Sequence, residues 1–292
     1  MSNIKIGGAH VLVTGAGSGI GAATALRCAR AGASVVAVDI DERAAAETAR
    51  GCGGEAVSYV CDVADPDAVG KLADQVEADQ GPVDVLVNNA GVGVAGPFLE
   101  TTLEDWEWLR GVNLDGVVNG CHVFGRRMLA RGRGHIVNVA SGAGYTPSRT
   151  TATYCATKAA VIMLSQCLRA DWWGRGVGVS AICPGVINTQ IPAHTRLRGA
   201  LAGKRERILR AFRYGHSPEI VAKAIIDAVE HNREVVPVGI ESALAYQRAD
   251  RALTAPRPAR AGGAAVGPRR PPKRATSPRG RELSAARSAQ AV

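Results

Sequence analysis

Two side chains in the stretch TATYCATKAA, residues 151–160, have the types and spacing for acid–base chemistry: the phenol of Tyr154 and the ammonium of Lys158. On a helix, positions four apart share one face, so this spacing sets the cation beside the phenol. A free tyrosine titrates near about 10, too high for a base at neutral pH, and an adjacent positive charge is expected to lower that value. The pair therefore suits removal of the proton from an alcohol as it is oxidised.

A second group suits a dinucleotide. In TGAGSGIG, residues 14–21, Gly15, Gly19 and Gly21 let the backbone turn tightly and approach a pyrophosphate, with Ser18 and Ile20 in the same turn. The segment AATALRCARAG follows at once, and the N-terminus of such a helix favours the phosphate charge. The next apolar run, SVVAVD, ends at Asp39, where a carboxylate can accept hydrogen bonds from the adenosine ribose hydroxyls. That carboxylate would repel a 2′-phosphate, so NAD is expected in preference to NADP. Arg43 is expected on the solvated face of the following helix.

These residues need a scaffold that brings loop ends together. Between residue 9 and about 238 the runs HVLVTG, ASVVAVD, AVSYVCD, VDVLVNNAG, GHIVNVAS, VGVSAICPG and EVVPVG alternate with helix-period segments. Such alternation implies parallel βαβ units, and the unbroken apolar character of VDVLV and VSAI suits strands covered on both faces. The expected fold is a single-domain α/β Rossmann fold: a doubly wound, parallel, seven-stranded sheet with helices on both faces.

Composition narrows the setting. With 292 residues, 46% hydrophobic and 35 Gly, the chain has the make-up of one sizeable globular domain. No apolar run is long enough for a transmembrane helix, and the opening MSNIKIGGAH lacks the layout of a secretory signal, so cytosol is the expected compartment. The seven cysteines are scattered without a C-x-x-C pair, which argues for reduced thiols rather than a disulfide framework or zinc site, and no metal is expected. Residues 254–292 hold nine Lys/Arg against Glu282 alone, so most of the net charge of +9 belongs to this segment. It lacks Ile, Phe, Trp, Tyr and Met and is expected to be a disordered basic tail after a domain spanning 1–253. Without interleaved aromatics it is a poor nucleic-acid ligand, although its charge keeps that function among the rivals.

Taken together, TGAGSGIG, Asp62-Val63 after the third strand, NNAG ending at Asn89, Ala90 and Gly91, Asn113, Ser141, Tyr154-x-x-x-Lys158 and Pro184-Gly185 resemble the short-chain dehydrogenase/reductase family over roughly residues 9–240. The resemblance implies hydride transfer to or from a nicotinamide ring. It assigns Asn113, Ser141, Tyr154 and Lys158 as the catalytic group, with Ser141 on the substrate oxygen, Lys158 also on the nicotinamide ribose and Asn113 ordering a water. It carries Asp62 over as an adenine contact and Thr189 as a contact to the nicotinamide amide. Asn88 and Asn89 are expected to brace the strand end near the cofactor, and Cys155 to pack. A homodimer or homotetramer is implied, through the helix of Tyr154 and the long helix before it.

The expected substrate lid, about 190–215, contains AHTRLRGALAGKRERILRAFRYG. Its Leu197, Leu201, Ile208, Leu209 and Phe212 approximate one helical face, while Arg196, Arg198, Lys204, Arg205, Arg207, Arg210 and Arg213 crowd the rest. Those basic residues read as a solvated face, or as a surface that meets an anionic carrier or membrane while a lipophilic substrate enters. The expected function is an NAD-dependent oxidoreductase of secondary alcohols and ketones. An NADPH-dependent ketoreductase of acyl or lipid ketones, and a non-catalytic dinucleotide-binding protein, are the alternatives.

Overall fold

The structure, a computed structural model, describes residues 4–254. The tail expected over 254–292 lies outside the described residues, apart from Thr254 at the end of the last helix. The strands of the main sheet are β1 (His10–Thr14), β2 (Ser34–Asp39), β3 (Val57–Val60), β4 (Val85–Asn88), β6 (Gly134–Val139), β7 (Val177–Pro184) and β9 (Val235–Val238), and a small pair joins β5 (Val94–Ala95) to β8 (Arg196–Leu197). The α-helices are α1 (Gly19–Arg30), α2 (Glu42–Cys52), α3 (Pro66–Gln80), α4 (Leu103–Arg110), α5 (Gly116–Arg131), α6 (Ala152–Asp171), α7 (Ile191–His194), α8 (Arg205–Phe212), α9 (Pro218–Glu230) and α10 (Ile240–Thr254).

All pairings in the main sheet are parallel, in the order β3-β2-β1-β4-β6-β7-β9. The seven expected strands are these seven. After β3 the chain crosses to the other side of β1, so the order reverses between β1 and β4. A crevice opens there beyond the carboxyl ends of the strands, the place where such sheets bind ligands.

The strands read as apolar runs because both faces are covered. Along β1, Val11 and Val13 join one core with Ala25 of α1 and Val221 and Ile225 of α9, while Leu12 joins another with Leu72 of α3 and Phe124 of α5. That alternation is the two-residue period of a strand, and each buried aliphatic side chain contributes about 1.5–3 kcal/mol relative to exposure. Local signals end the helices where the chain must turn. Asp65 caps α3 by accepting the N–H groups of Asp67 and Ala68, and Gly132 closes α5 in a left-handed conformation at φ +67°.

Candidate active site

The carboxyl end of β1 passes straight into the glycine-rich turn. Gly15 and Gly19 hold φ of +62° and +54°, where other residues are strained, and Gly21 lies against the Gly15 carbonyl. Ser18 is extended and caps α1 with no side-chain bond, and no acidic residue occupies the first turn. Unclaimed N–H groups at that helix end are suited to a pyrophosphate, so the turn fits the dinucleotide inferred from sequence.

Asp39 closes the side of this cradle. One carboxylate oxygen accepts the Gly17 N–H at 2.8 Å and the other the Asp41 N–H at 3.0 Å. A Cβ on Gly17 would stand 2.6 Å from Ala44 Cβ and 2.9 Å from the Asp39 carboxylate, so position 17 has no room for a side chain. Sequence reasoning passed over Gly17 and also Thr14, although both lie within TGAGSGIG. The Thr14 hydroxyl accepts the N–H groups of Asn89 and Ala90, and the Asn89 amide donates to the carbonyls of Thr14 and Gly15. Asn89 thus braces the strand end, as expected. Asn88 does so inside the sheet, donating to Asn138 at 2.9 Å. Arg43 points away from the cradle, paired with Glu47 on the exposed face of α2.

Asp62 is exposed, and its carboxylate accepts the Ala64 N–H at 2.9 Å, a turn contact. Val63 beside it is buried against Gly116 of α5.

The candidate catalytic group sits at the carboxyl ends of β6 and β7. Ser141 follows β6 with its hydroxyl donating to the Pro184 carbonyl at 3.4 Å and accepting the Ala143 N–H at 3.1 Å. Lys158 is buried in α6, 4% exposed, and donates to the Val139 carbonyl at 2.9 Å, with Nζ 5.8 Å from the centre of the Tyr154 ring. Burial lowers this ammonium to about 8. Gly91 lies beside both Lys158 and Asn113, where a Cβ would stand 3.6 Å from Lys158 Nζ and 3.4 Å from Asn113 Oδ1.

One expectation about this group needs correction. The phenol of Tyr154 is shifted upward, since the cost of burying a phenolate outweighs the hydrogen bond to Ser141 that acts in the opposite sense. Proximity to Lys158 does not set its direction. Asn113, fully buried in a π-helical turn at Gly111–Asp115, has its side chain committed to Val92, accepting the N–H at 2.8 Å and donating to the carbonyl at 3.0 Å. These bonds fix the segment beside Gly91 and leave the amide one further N–H and one further lone pair.

A cavity of about 1110 Å³ opens in front of Tyr154, reaching Ile20, Asn89 and Thr189 at the cofactor side and Pro184 and Gly185 below. Thr189 stands over Gly19, where a Cβ would meet it at 3.2 Å. Leu197, Leu201, Ile208 and Phe212 of the expected lid do line the cavity; Leu209 does not. The basic residues of the lid divide. Arg198 and Arg196 reach back to the buried carboxylate of Asp105, and Arg196 stacks on Trp108 at 3.9 Å. Arg205 donates to the carbonyls of Pro192, Ala193 and Thr195. Those three tie the lid down, Arg196 and Arg198 half-buried and Arg205 exposed, and Lys204, Arg207, Arg210 and Arg213 are exposed as well. Sequence reasoning missed α10, which supplies a cavity wall through Glu241, Ser242, Leu244 and Ala245; the run SALAYQRADRAL, rich in helix formers, was its signal.

A family model described as short chain dehydrogenase matches residues 9–198. The chain belongs to the short chain dehydrogenase family. Similar proteins include the "Probable oxidoreductase EphD" of Mycobacterium tuberculosis (strain ATCC 25618 / H37Rv), 46% identical over 247 residues and 81% of this chain. That match spans 42% of the relative, so this chain corresponds to about two-fifths of its length. The D-threitol dehydrogenase of Mycolicibacterium smegmatis is 38% identical, over 76% of this chain and 86% of that one. Among solved structures, a short chain dehydrogenase/reductase from Burkholderia phymatum in complex with NAD matches with a TM-score of 0.77 and 32% identity, over 86% of this chain and 96% of that one. The Rossmann-like sheet is the fold this chain shares with that structure.

Proposed function

We propose that this chain interconverts a secondary alcohol and a ketone with NAD(H), and that Tyr154 carries the proton. The reading rests on the convergence of Tyr154, Ser141 and buried Lys158 at one end of a cavity that also reaches the glycine-rich turn. A bound nicotinamide dinucleotide would accept the substrate's hydride in oxidation and donate one in reduction. The remaining work belongs to the chain. The Ser141 hydroxyl donates to the substrate oxygen and holds the reacting carbon in place. The Tyr154 phenolate takes the hydroxyl proton as the hydride leaves, and returns it in reduction. Lys158, with donors to spare beyond its bond to Val139, holds the cofactor ribose. The lid excludes water.

Asp39 supports NAD over NADP, because its carboxylate faces the cradle and Arg43 is turned to Glu47. Relatives named for D-threitol and meso-2,3-butanediol support a carbinol substrate, while the apolar walls from β8, α8 and α10 favour a lipophilic one. We assign residues 1–253 to the catalytic domain, with the lid at about 190–215 and the basic segment 254–292 outside it. Met163 of α6 and Val118 of α5 are exposed, which supports a homodimer or homotetramer through these helices. A cytoplasmic setting goes with this reading; no helix of the described residues is long and apolar enough to cross a membrane. The test is a screen of secondary alcohols and ketones followed by NADH absorbance, with NAD and NADP side by side. Turnover with at least about tenfold preference for NAD is expected. Preference for NADP would contradict the cofactor assignment, and absence of turnover across the screen would contradict the activity.

A further inference from the structure

The substrate cavity is apolar along most of its length but not at its outer wall. Its described lining includes two cations, Lys158 at the reacting end and Arg248 on α10, and one anion, Glu241. Glu241 is already engaged, accepting the Val186 N–H at 2.7 Å and facing His216 at 3.3 Å. Of the lid arginines, Arg196 and Arg198 are committed to Asp105 and Arg205 to three carbonyls, while Arg207, Arg210 and Arg213 do not line the cavity. Arg248 is exposed and has neither an ion pair nor a hydrogen bond among the described residues. It lines the cavity with no carboxylate paired to it.

Helix α10 sets where that charge lies relative to the chemistry. Ser242 marks the reacting end: its hydroxyl donates to the Cys183 carbonyl at 2.6 Å and lies beside Gly142, next to Ser141. Arg248 follows six residues later, and six residues of helix rise about 9 Å, the length of a roughly eight-carbon extended chain. Between the two, Leu244 and Ala245 face the cavity, opposite Leu201, Ile208 and Phe212 of the lid. A ligand laid along this wall meets a proton-transfer group, then an apolar stretch, then a cation shaped for a planar oxyanion.

We propose that the substrate is a lipophilic hydroxy or keto acid, with its carboxylate held by Arg248 and its carbinol or carbonyl carbon about eight carbons away at Tyr154. This rests on the oxidoreductase reading and adds the substrate class to it. Arg248 acts as a specificity residue, touching the end of the substrate that does not react.

Three substrates of one chain length separate the claims: 9-hydroxydecanoate, its methyl ester and 2-decanol, each assayed with NAD. The acid should be used with kcat/KM about tenfold above the ester, the scale of one hydrogen-bonded charge pair. Arg248→Ala should lower kcat/KM for the acid about tenfold more than for 2-decanol, and Arg248→Lys should recover part of the difference. A direct binding measurement stands apart from turnover. Decanoate titrated calorimetrically into NADH-loaded protein should bind, and Arg248→Ala should weaken it about tenfold. Equal use of acid and ester, or decanoate binding that is absent or indifferent to Arg248→Ala, overturns the proposal. If 2-decanol is still oxidised in that case, the oxidoreductase reading stands without it. If decanoate binds through Arg248 but none of the alcohols is oxidised, the oxidoreductase reading is the one that fails.

Discussion

Replacing Asp105 by Asn should loosen the lid and destabilise the protein. Asp105 is fully buried, and its carboxylate accepts two N–H bonds from Arg198 at 2.6 and 2.7 Å, one from Arg196 at 3.3 Å, and the Thr102 backbone N–H that completes the capping box of α4. The hydrogen bonds from Arg198 hold the carboxyl well below the usual carboxylate range, against the opposing effect of burial. Breaking a fully buried ion pair costs about 3–5 kcal/mol, but the two arginine side chains here are about a third exposed, and asparagine keeps an acceptor for Thr102. A loss of about 2–3 kcal/mol is therefore expected, or about 5–10 °C in melting temperature for a domain of this size. Asp105→Ala should cost about 1 kcal/mol more, because the cap is lost as well. The depressed carboxyl contributes stability that is present above its unfolded value near about 4 and lost as pH falls toward its folded value. The wild-type and Asn variant should therefore differ most at neutral pH and converge below about pH 4 in urea titrations. Since the clasp fastens β8 beneath the cavity wall, KM should rise more than kcat falls. An Asn variant as stable as the wild type at pH 7 would refute the reasoning.

Asp39→Ala removes the charge that disfavours a 2′-phosphate, so preference for NAD over NADP should fall by about tenfold in paired kinetic assays. Lys158→Met should weaken both turnover and NADH affinity, measured by rate and by direct titration. It should leave the protein without bound cofactor close to wild-type stability at pH 7, because losing a desolvated ammonium offsets losing the bond to Val139. The same burial predicts that the Lys158 contribution to wild-type stability rises from about pH 8 towards its unfolded value near about 10.4, and that the Met variant lacks this rise.

The sheet was legible because strands buried on both faces have to be largely apolar, and β4 and β7 are, apart from Asn88 and Ser180. The cradle was legible because a turn that meets a pyrophosphate needs glycine, and the acidic residue belongs at the end of the next strand. What sequence could not show was partnership across long separations. Arg196 and Arg198 read as surface charge until Asp105, some 90 residues earlier, is found beneath them. The backbone partner of Asn113, Val92, lies 21 residues away and could not be read from local sequence. The direction of the Tyr154 shift failed for a related reason: helical spacing reports the neighbour at i+4, but not how much water is excluded from the hydroxyl. The α10 wall carries no motif, only helix formers, so its place on the cavity appeared with the fold alone.

The central claim is that Tyr154 transfers the proton, and Tyr154→Phe tests it most directly because the ring stays and only the oxygen is lost. Hydride transfer from 2-decanol should be measured in a single turnover, beside NADH affinity by direct titration. The account predicts a rate lower by about 10²-fold or more, the scale of general acid–base catalysis, with cofactor affinity within about twofold of wild type. A variant that binds NADH normally and transfers hydride at a near-native rate would contradict it, and the proton would then have to leave by another group.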